Sequence, residues 1–246
     1  MTMEQAKAGS TDELAATSPE TESRIAKTHA VKIWDWPVRL THWSFALLLP
    51  AMYMTADNSQ WGWHIRLGHV LLALIIFRIL WGIFGTDTAR FANFVKGPRA
   101  LLGYFRGEFP HKEHKGHTPL GALAVLALLG FALAQVTMGL FAGDPFDGAT
   151  GPLNPLVGVA TADFLTETHE WFYYVVFGMI GLHVTAIGLY GAFQAQNLIG
   201  PMVGGSGEKA LNVEDNSDAK WGRALGTFAV SAGFAFWIYS GAPPFT

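Results

Sequence analysis

Residues 169–183 read HEWFYYVVFGMIGLH, an apolar run with a histidine at each end. From Trp171 to Phe193 the chain contains no Asp, Glu, Lys or Arg. About 20 residues at roughly 1.5 Å rise per residue cross the ~30 Å hydrocarbon layer of a bilayer. On such a helix the two histidines lie about 40° apart around the axis and roughly 21 Å apart along it. The stretch therefore predicts a membrane-spanning helix with two imidazoles on one face, one near each membrane surface.

The whole chain shows the same apolar bias. Half of its 246 residues are hydrophobic and only 14% are charged, against about 25% charged in an average soluble domain. We expect an all-α membrane protein, with a four-helix transmembrane bundle and a fifth, C-terminal transmembrane helix. The five segments of membrane-crossing character are residues 37–56, 65–84, 119–142, 171–193 and 222–240.

The polar segments divide the chain into regions. Residues 1–32 are rich in Glu, Thr, Ser and Ala, which is typical of a disordered tail. We expect this tail to lie in the cytoplasm. Residues 33–195 form the expected bundle domain. A Gly-rich, acidic stretch, residues 196–220, is predicted to be a cytoplasmic linker to the additional transmembrane helix in residues 221–246.

Loop charges predict the orientation in the membrane. Residues 85–118 carry six Lys or Arg against three acidic residues, whereas residues 143–170 carry five acidic residues and no Lys or Arg. Positive loops face the cytoplasm. We therefore expect a multi-pass protein of the bacterial inner membrane with a cytoplasmic N-terminus and a periplasmic C-terminus.

Net charge and cysteine content exclude several classes of function. A formal net charge of -3 provides no basic surplus for neutralising phosphates, so we expect no nucleic-acid partner. The chain has no cysteine, which excludes disulfides, cysteine-ligated iron–sulfur clusters and covalent c-type haem attachment. A redox cofactor would need histidine, methionine or oxygen ligands.

Ionisable side chains inside membrane spans are costly and usually mark function. Four histidines lie in or at the ends of the spans: His42, His69, His169 and His183. With alternating helix directions, depth pairs His42 with His183 and His69 with His169. Each pair would supply two axial imidazoles to one haem iron.

Three arginines are candidates for binding haem propionates. Arg39 precedes His42, and Arg66 precedes His69, by the spacing that places neighbours on one helical face. A guanidinium forms forked, charge-assisted hydrogen bonds with carboxylates. Each arginine could equally be an interfacial anchor whose charged end reaches towards water. Arg78, deeper in its span, has the same two interpretations.

Together these motifs resemble the bacterial di-haem cytochrome b group, which includes cytochrome b-561 and the b-type subunits of nickel–iron hydrogenases. The resemblance implies a four-helix membrane bundle with two b haems, and His42, His69, His169 and His183 as iron ligands. It also implies electron exchange with a quinone and a redox partner. The fifth helix departs from the small members, as does Tyr190, which stands where one of them has a quinone-associated histidine. The matching stretches are WDWPVRLTHW (residues 34–43), RLGH (66–69), FRILWG (77–82), ARFANFV (89–95), THEW (168–171) and GLH (181–183).

The leading functional hypothesis is an electron-transfer subunit of the respiratory chain. Its haems would connect the quinone pool with a periplasmic c-type cytochrome or a partner oxidoreductase, and Tyr190 is the candidate quinone residue. One alternative is a stand-alone quinone-linked enzyme, a superoxide:ubiquinone oxidoreductase, which the acidic outer loop disfavours because superoxide is an anion. The other is a non-redox transporter. We also expect contact with membrane lipids, and either homo-oligomers or assembly into a larger complex.

Overall fold

A computed structural model describes residues 28–109, 114–144, 149–194, 197–210 and 212–244, and these are mostly α-helical. Residues 1–27 of the predicted tail lie outside the described residues. The helices of the described part are α1 (Trp36–Asp57), α2 (Trp61–Phe84), α3 (Phe91–Phe94), α4 (Pro98–Phe105), α5 (Pro119–Phe141), α6 (Val159–Gln194), α7 (Ile199–Gly204) and α8 (Trp221–Tyr239), with a 3-10 turn at Asn154–Leu156. The strands are β1 (Thr28–Lys32), β2 (Gly143–Asp144), β3 (Ala149–Thr150) and β4 (Ser206–Ala210).

Five of these helices are long, and each covers most of one predicted span. Among the described residues, α2, α5 and α6 are long and apolar enough to cross a membrane. The mostly helical fold expected from the sequence is thereby confirmed, and the four-helix bundle with a fifth helix stays a prediction. Helices α1 and α8 are 22 and 19 residues long. That these two helices also cross the membrane remains a prediction.

Helix α2 lies at the centre of the fold. Its residues Leu71, Leu72 and Ile75 form one buried cluster with side chains of α5 and α8. Sequential long helices run in opposite directions. The start of α8 reaches the end of α2 through the Arg223 guanidinium, which donates to the Phe84 carbonyl at 3.1 Å. Helix α1 also packs against α2, whereas α6 packs against α5 and contacts α1 through aromatic and histidine rings.

Two helices begin earlier than the sequence predicts. Helix α6 starts at Val159 instead of residue 171, because residues 159–170 contain good helix formers and neither Gly nor Pro. Its 36 residues span about 54 Å, so α6 is longer than a ~30 Å hydrocarbon layer. Helix α2 starts at Trp61 instead of residue 65, which brings His64 into the helix.

The segments expected to be a tail and a linker are partly ordered against each other. Strand β1 pairs antiparallel with β4, from Thr28 opposite Ala210 to Lys32 opposite Ser206. Ordered structure therefore begins before residue 33, and the predicted linker contains α7 and β4. The physical reason is that each strand satisfies the other's backbone groups. Gly205, at a φ of 93° between α7 and β4, makes the required turn.

A buried polar cluster joins this small sheet to the helices. The Asp35 carboxylate caps the start of α1 by accepting from the Val38 N–H at 2.8 Å. Its second oxygen accepts from the Trp81 indole at 2.8 Å and from the Thr86 hydroxyl at 2.6 Å. Asn216 extends the cluster, since its amide donates to the Thr86 hydroxyl at 3.2 Å. Asp35 thus links the beginning of α1 to the end of α2.

Replacing Asp35 with alanine removes the helix cap and leaves two buried donors without an acceptor. We expect the free energy of unfolding to fall by about 2–4 kcal/mol, measured by circular dichroism of the detergent-solubilised protein. The matched control is Asp87→Ala, which removes only an exposed ion pair with Arg90 and should cost less than about 0.5 kcal/mol. Equal losses for the two variants would contradict the role assigned to Asp35.

Candidate functional site

Two pairs of histidine rings face each other across the helices. The first pair joins the beginning of α1 to the C-terminal half of α6, with His42 and His183 at a ring-centre separation of 6.4 Å. The sequence-based depth argument predicts this proximity. Gly178 and Gly181, on the turn of α6 before His183, have no other group within 4 Å of the position that a Cβ would take. At 100° per residue these two glycines lie about 140° and 160° around the axis from His183, so this open surface is on another side of α6.

The second pair consists of His64 from α2 and His169 from α6, with ring centres 6.1 Å apart. The Nδ1 atom of His64 lies 2.9 Å from the Met52 carbonyl oxygen, and that of His169 lies 2.9 Å from the Gln135 carbonyl oxygen. A carbonyl oxygen only accepts, so both Nδ1 atoms carry the proton and both Nε2 atoms keep a lone pair. The two rings therefore present metal-binding nitrogens.

Gly139 of α5 lets the His169 ring lie close to the helix backbone. A Cβ at this position would lie 2.8 Å from His169 Cε1, closer than van der Waals contact allows. The glycine and the Gln135 carbonyl together fix the orientation of the ring from the α5 side.

Both pairs fit a bis-imidazole iron site. Imidazole nitrogens bind metals at about 2 Å, so two rings on one ion have their nitrogens about 4 Å apart and their centres about 6 Å apart. The separations of 6.1 and 6.4 Å match this requirement. Backbone carbonyls also bond the outer ring nitrogens of His64 and His169, as is usual for histidines that bind metals. The residues present are thus suited to haem.

The structure places His64, and not the predicted His69, opposite His169, and the assignment of iron ligands stays a prediction. His69 lies on another side of α2, where its ring centre is 4.9 Å from that of Tyr239 in α8. Five residues along an α-helix amount to about 140° of rotation, so His64 and His69 cannot face the same neighbour. The buried side chains Leu71 and Ile75 share the face of His64, and this periodicity is the signal that identifies His64 in the sequence. Depth alone did not separate the two histidines.

The three candidate arginines have protein partners. Arg39 donates to the Val203 carbonyl of α7, and the Arg66 guanidinium stacks over Trp63 at 5.4 Å. Arg78 is buried, stacks over Phe91 at 5.3 Å and experiences the negative charge of Asp35. Arg78 thereby stabilises the polar cluster around Asp35.

Tyr190, the candidate quinone residue, is engaged near the end of α6. Its hydroxyl is hydrogen-bonded to the hydroxyl of Tyr104 in α4. Burial raises the pKa of Tyr104 above the ordinary tyrosine value. The contact ties the loop between α2 and α5 to the C-terminal half of α6.

Comparison with known proteins agrees with this arrangement. Residues 33–205 match the family model described as prokaryotic cytochrome b561. The chain is 28% identical to a probable Ni/Fe-hydrogenase B-type cytochrome subunit of Azotobacter chroococcum mcd 1, and 27% identical to the equally named protein of Azotobacter vinelandii. Each alignment covers 75% of this chain and 91% of the relative. No solved structure matches significantly.

Helix α8 lies outside the matched region, whereas all four of the paired histidines lie within it. The family is one of haem-binding electron carriers, which agrees with paired imidazoles between apolar helices. By its sequence match and its histidine pairs, this chain belongs to the prokaryotic cytochrome b561 family of transmembrane b-type cytochromes that function in electron transport.

Proposed function

We propose that this protein carries electrons between the quinone pool and a redox partner through two b haems. His42 with His183, and His64 with His169, are the proposed axial ligands. The observation that carries the proposal is the presence of two imidazole pairs at the separation required by one iron each. Family membership argues against the non-redox transporter.

Each pair fills both axial positions of an iron. Haem supplies one-electron redox chemistry, and bis-histidine ligation favours electron transfer over oxygen binding at the iron. Helix α6 contributes one ligand to each pair, and these ligands lie roughly 21 Å apart along its axis. The rigid helix therefore holds the two sites at different depths of the membrane.

The proposed setting is the bacterial inner membrane with five crossings, a cytoplasmic N-terminus and a periplasmic C-terminus. The alternating directions of the long helices are compatible with this topology. The basic residues 85–118 connect α2 to α5 at the end where α1 begins, which the positive-inside rule assigns to the cytoplasm. His64 and His169 then lie on the periplasmic side.

The first turns of α6 provide a face for the redox partner. Asp163, Glu167 and Glu170 are exposed, and their spacing places them along one side of the helix. Residues 143–170 contain no Lys or Arg, so this face attracts a cation and repels superoxide. A basic soluble c-type cytochrome, or a basic face of a partner subunit, suits it. The relatives named as hydrogenase subunits support assembly with a partner.

Single alanine variants test the ligand assignment through haem content. The wild type should contain two b haems per chain with a low-spin spectrum, measured by pyridine haemochrome assay against protein concentration. His42→Ala and His183→Ala should each lose the same haem, and His64→Ala and His169→Ala should each lose the other. His69→Ala is the matched control and should keep both.

The opposite result at α2 would overturn the assignment. If His69→Ala loses a haem and His64→Ala keeps both, His69 is the ligand, as depth in the sequence predicts. Elution volume on size exclusion separates loss of a ligand from loss of the fold.

Charge reversal tests the acidic face. We expect the double variant Asp163→Lys/Glu167→Lys to slow electron exchange with a basic soluble cytochrome c by about tenfold or more at low ionic strength. Stopped-flow absorbance measures the rate, and the difference should shrink as salt is added. Glu214→Lys, an exposed position near β4, is the control and should leave the rate unchanged. An equal effect of Glu214→Lys would contradict a specific docking face.

A further inference from the structure

A cleft lies on a side of α2 that faces away from the pair formed by His64 and His169. This open cleft, bordered by α1, α2 and α8, has a volume of about 640 Å³, within the range of about 300–1,000 Å³ of small-molecule sites. Its lining is mostly apolar, with a few polar side chains. The lining includes Ser44 and Leu47 of α1, Arg66 and His69 of α2, and Ala232, Phe236 and Tyr239 of α8.

His69 brings an unsatisfied hydrogen-bond acceptor to this cleft. Its Nδ1 atom lies 2.7 Å from the Ile65 carbonyl oxygen, so Nδ1 carries the proton and Nε2 of the neutral ring keeps a lone pair. Nε2 is buried and has no hydrogen-bond partner among the described residues. A buried acceptor without a donor costs about 1–3 kcal/mol. The site therefore favours a ligand that donates a hydrogen bond to Nε2.

The rest of the cleft restricts the ligand to a lipophilic one. Leu47 and Phe236 line it and are 74% and 69% exposed, so the cleft is open to the surroundings of the helices. In a membrane those surroundings are hydrocarbon, which gives lateral access to a molecule with an apolar tail. A membrane quinol combines such a tail with a flat ring and hydroxyl donors, whereas the oxidised quinone has only carbonyl acceptors.

We infer that the cleft between α1, α2 and α8 binds the ring of a membrane quinol, with a quinol hydroxyl donating to His69 Nε2. The inference rests on the proposed function, since it names the site at which that function meets the quinone pool. It also gives a role to His69, which is not one of the four proposed iron ligands. Helix α8, which lies beyond the region matched by the family model, forms one wall of the site.

Calorimetry on the haem-loaded protein in lipid nanodiscs tests the inference. The haems are reduced beforehand under anaerobic conditions, so that the titration measures binding alone. We expect a short-chain benzoquinol to bind about tenfold more tightly than its di-O-methyl ether, which lacks the donor. His69→Leu should weaken quinol binding by about the same factor, and His69→Gln, which keeps an acceptor, should retain most of the affinity.

Two alanine-to-phenylalanine variants of α8 form a matched pair. Ala232→Phe fills the cleft and should abolish binding, whereas Ala229→Phe lies at an exposed position outside the lining and should leave it unchanged. Unchanged quinol affinity in both His69→Leu and Ala232→Phe would overturn the inference. So would retention of phospholipid that quinol cannot displace, because the cleft would then be a lipid site.

Haem content distinguishes failure of the quinol-site inference from failure of the proposed function. If His69→Leu keeps both haems and binds quinol normally, only the cleft assignment is wrong. If His69→Leu loses a haem, the proposed ligand set is wrong and His69 is an iron ligand.

Discussion

The buried carboxylate of Asp35 is the constraint on which the helix arrangement depends. It accepts from the first turn of α1 and from Trp81 and Thr86 at the end of α2. A buried carboxylate is stable only when its oxygens are hydrogen-bonded. The hydrogen bonds of Asp35 therefore fix the beginning of α1 relative to the end of α2. Because α2 contacts α5 and α8, that position also sets how His42 lies relative to the rest of the bundle. The β1–β4 sheet and Asn216 shield the cluster from water.

Helical phase then divides the polar side chains of α2 between two sites. His64 faces His169 of α6, whereas His69 faces Tyr239 of α8. In both residues Nδ1 bonds a backbone carbonyl and Nε2 is available. The different neighbours suit the two imidazoles to different proposed roles: His64 has a second histidine opposite and is a proposed iron ligand, and His69 is a proposed hydrogen-bond acceptor in an apolar cleft. One helix thus brings the proposed haem and quinol sites to its two sides.

The two ends of the long helices carry charges of opposite sign. The acidic first turns of α6 lie next to His169, and the basic loop lies at the other end of the helices. Long-range attraction of a cationic partner therefore acts near one imidazole pair and away from the other. The proposed docking face therefore lies beside one of the two proposed haem sites.

The sequence by itself determined the mostly helical class and the central apolar segments, and it predicted b-type haem and the pairing of His42 with His183. Composition, segment length and depth along alternating helices suffice for these, because each depends on local hydrophobicity or on position along one axis. Tertiary structure alone decided that His64, and not His69, faces His169, and that residues 28–32 pair with residues 206–210. Rotation about the axis of α2 is set by packing against α1, α5 and α8, and pairing between distant strands depends on where the helices bring the chain.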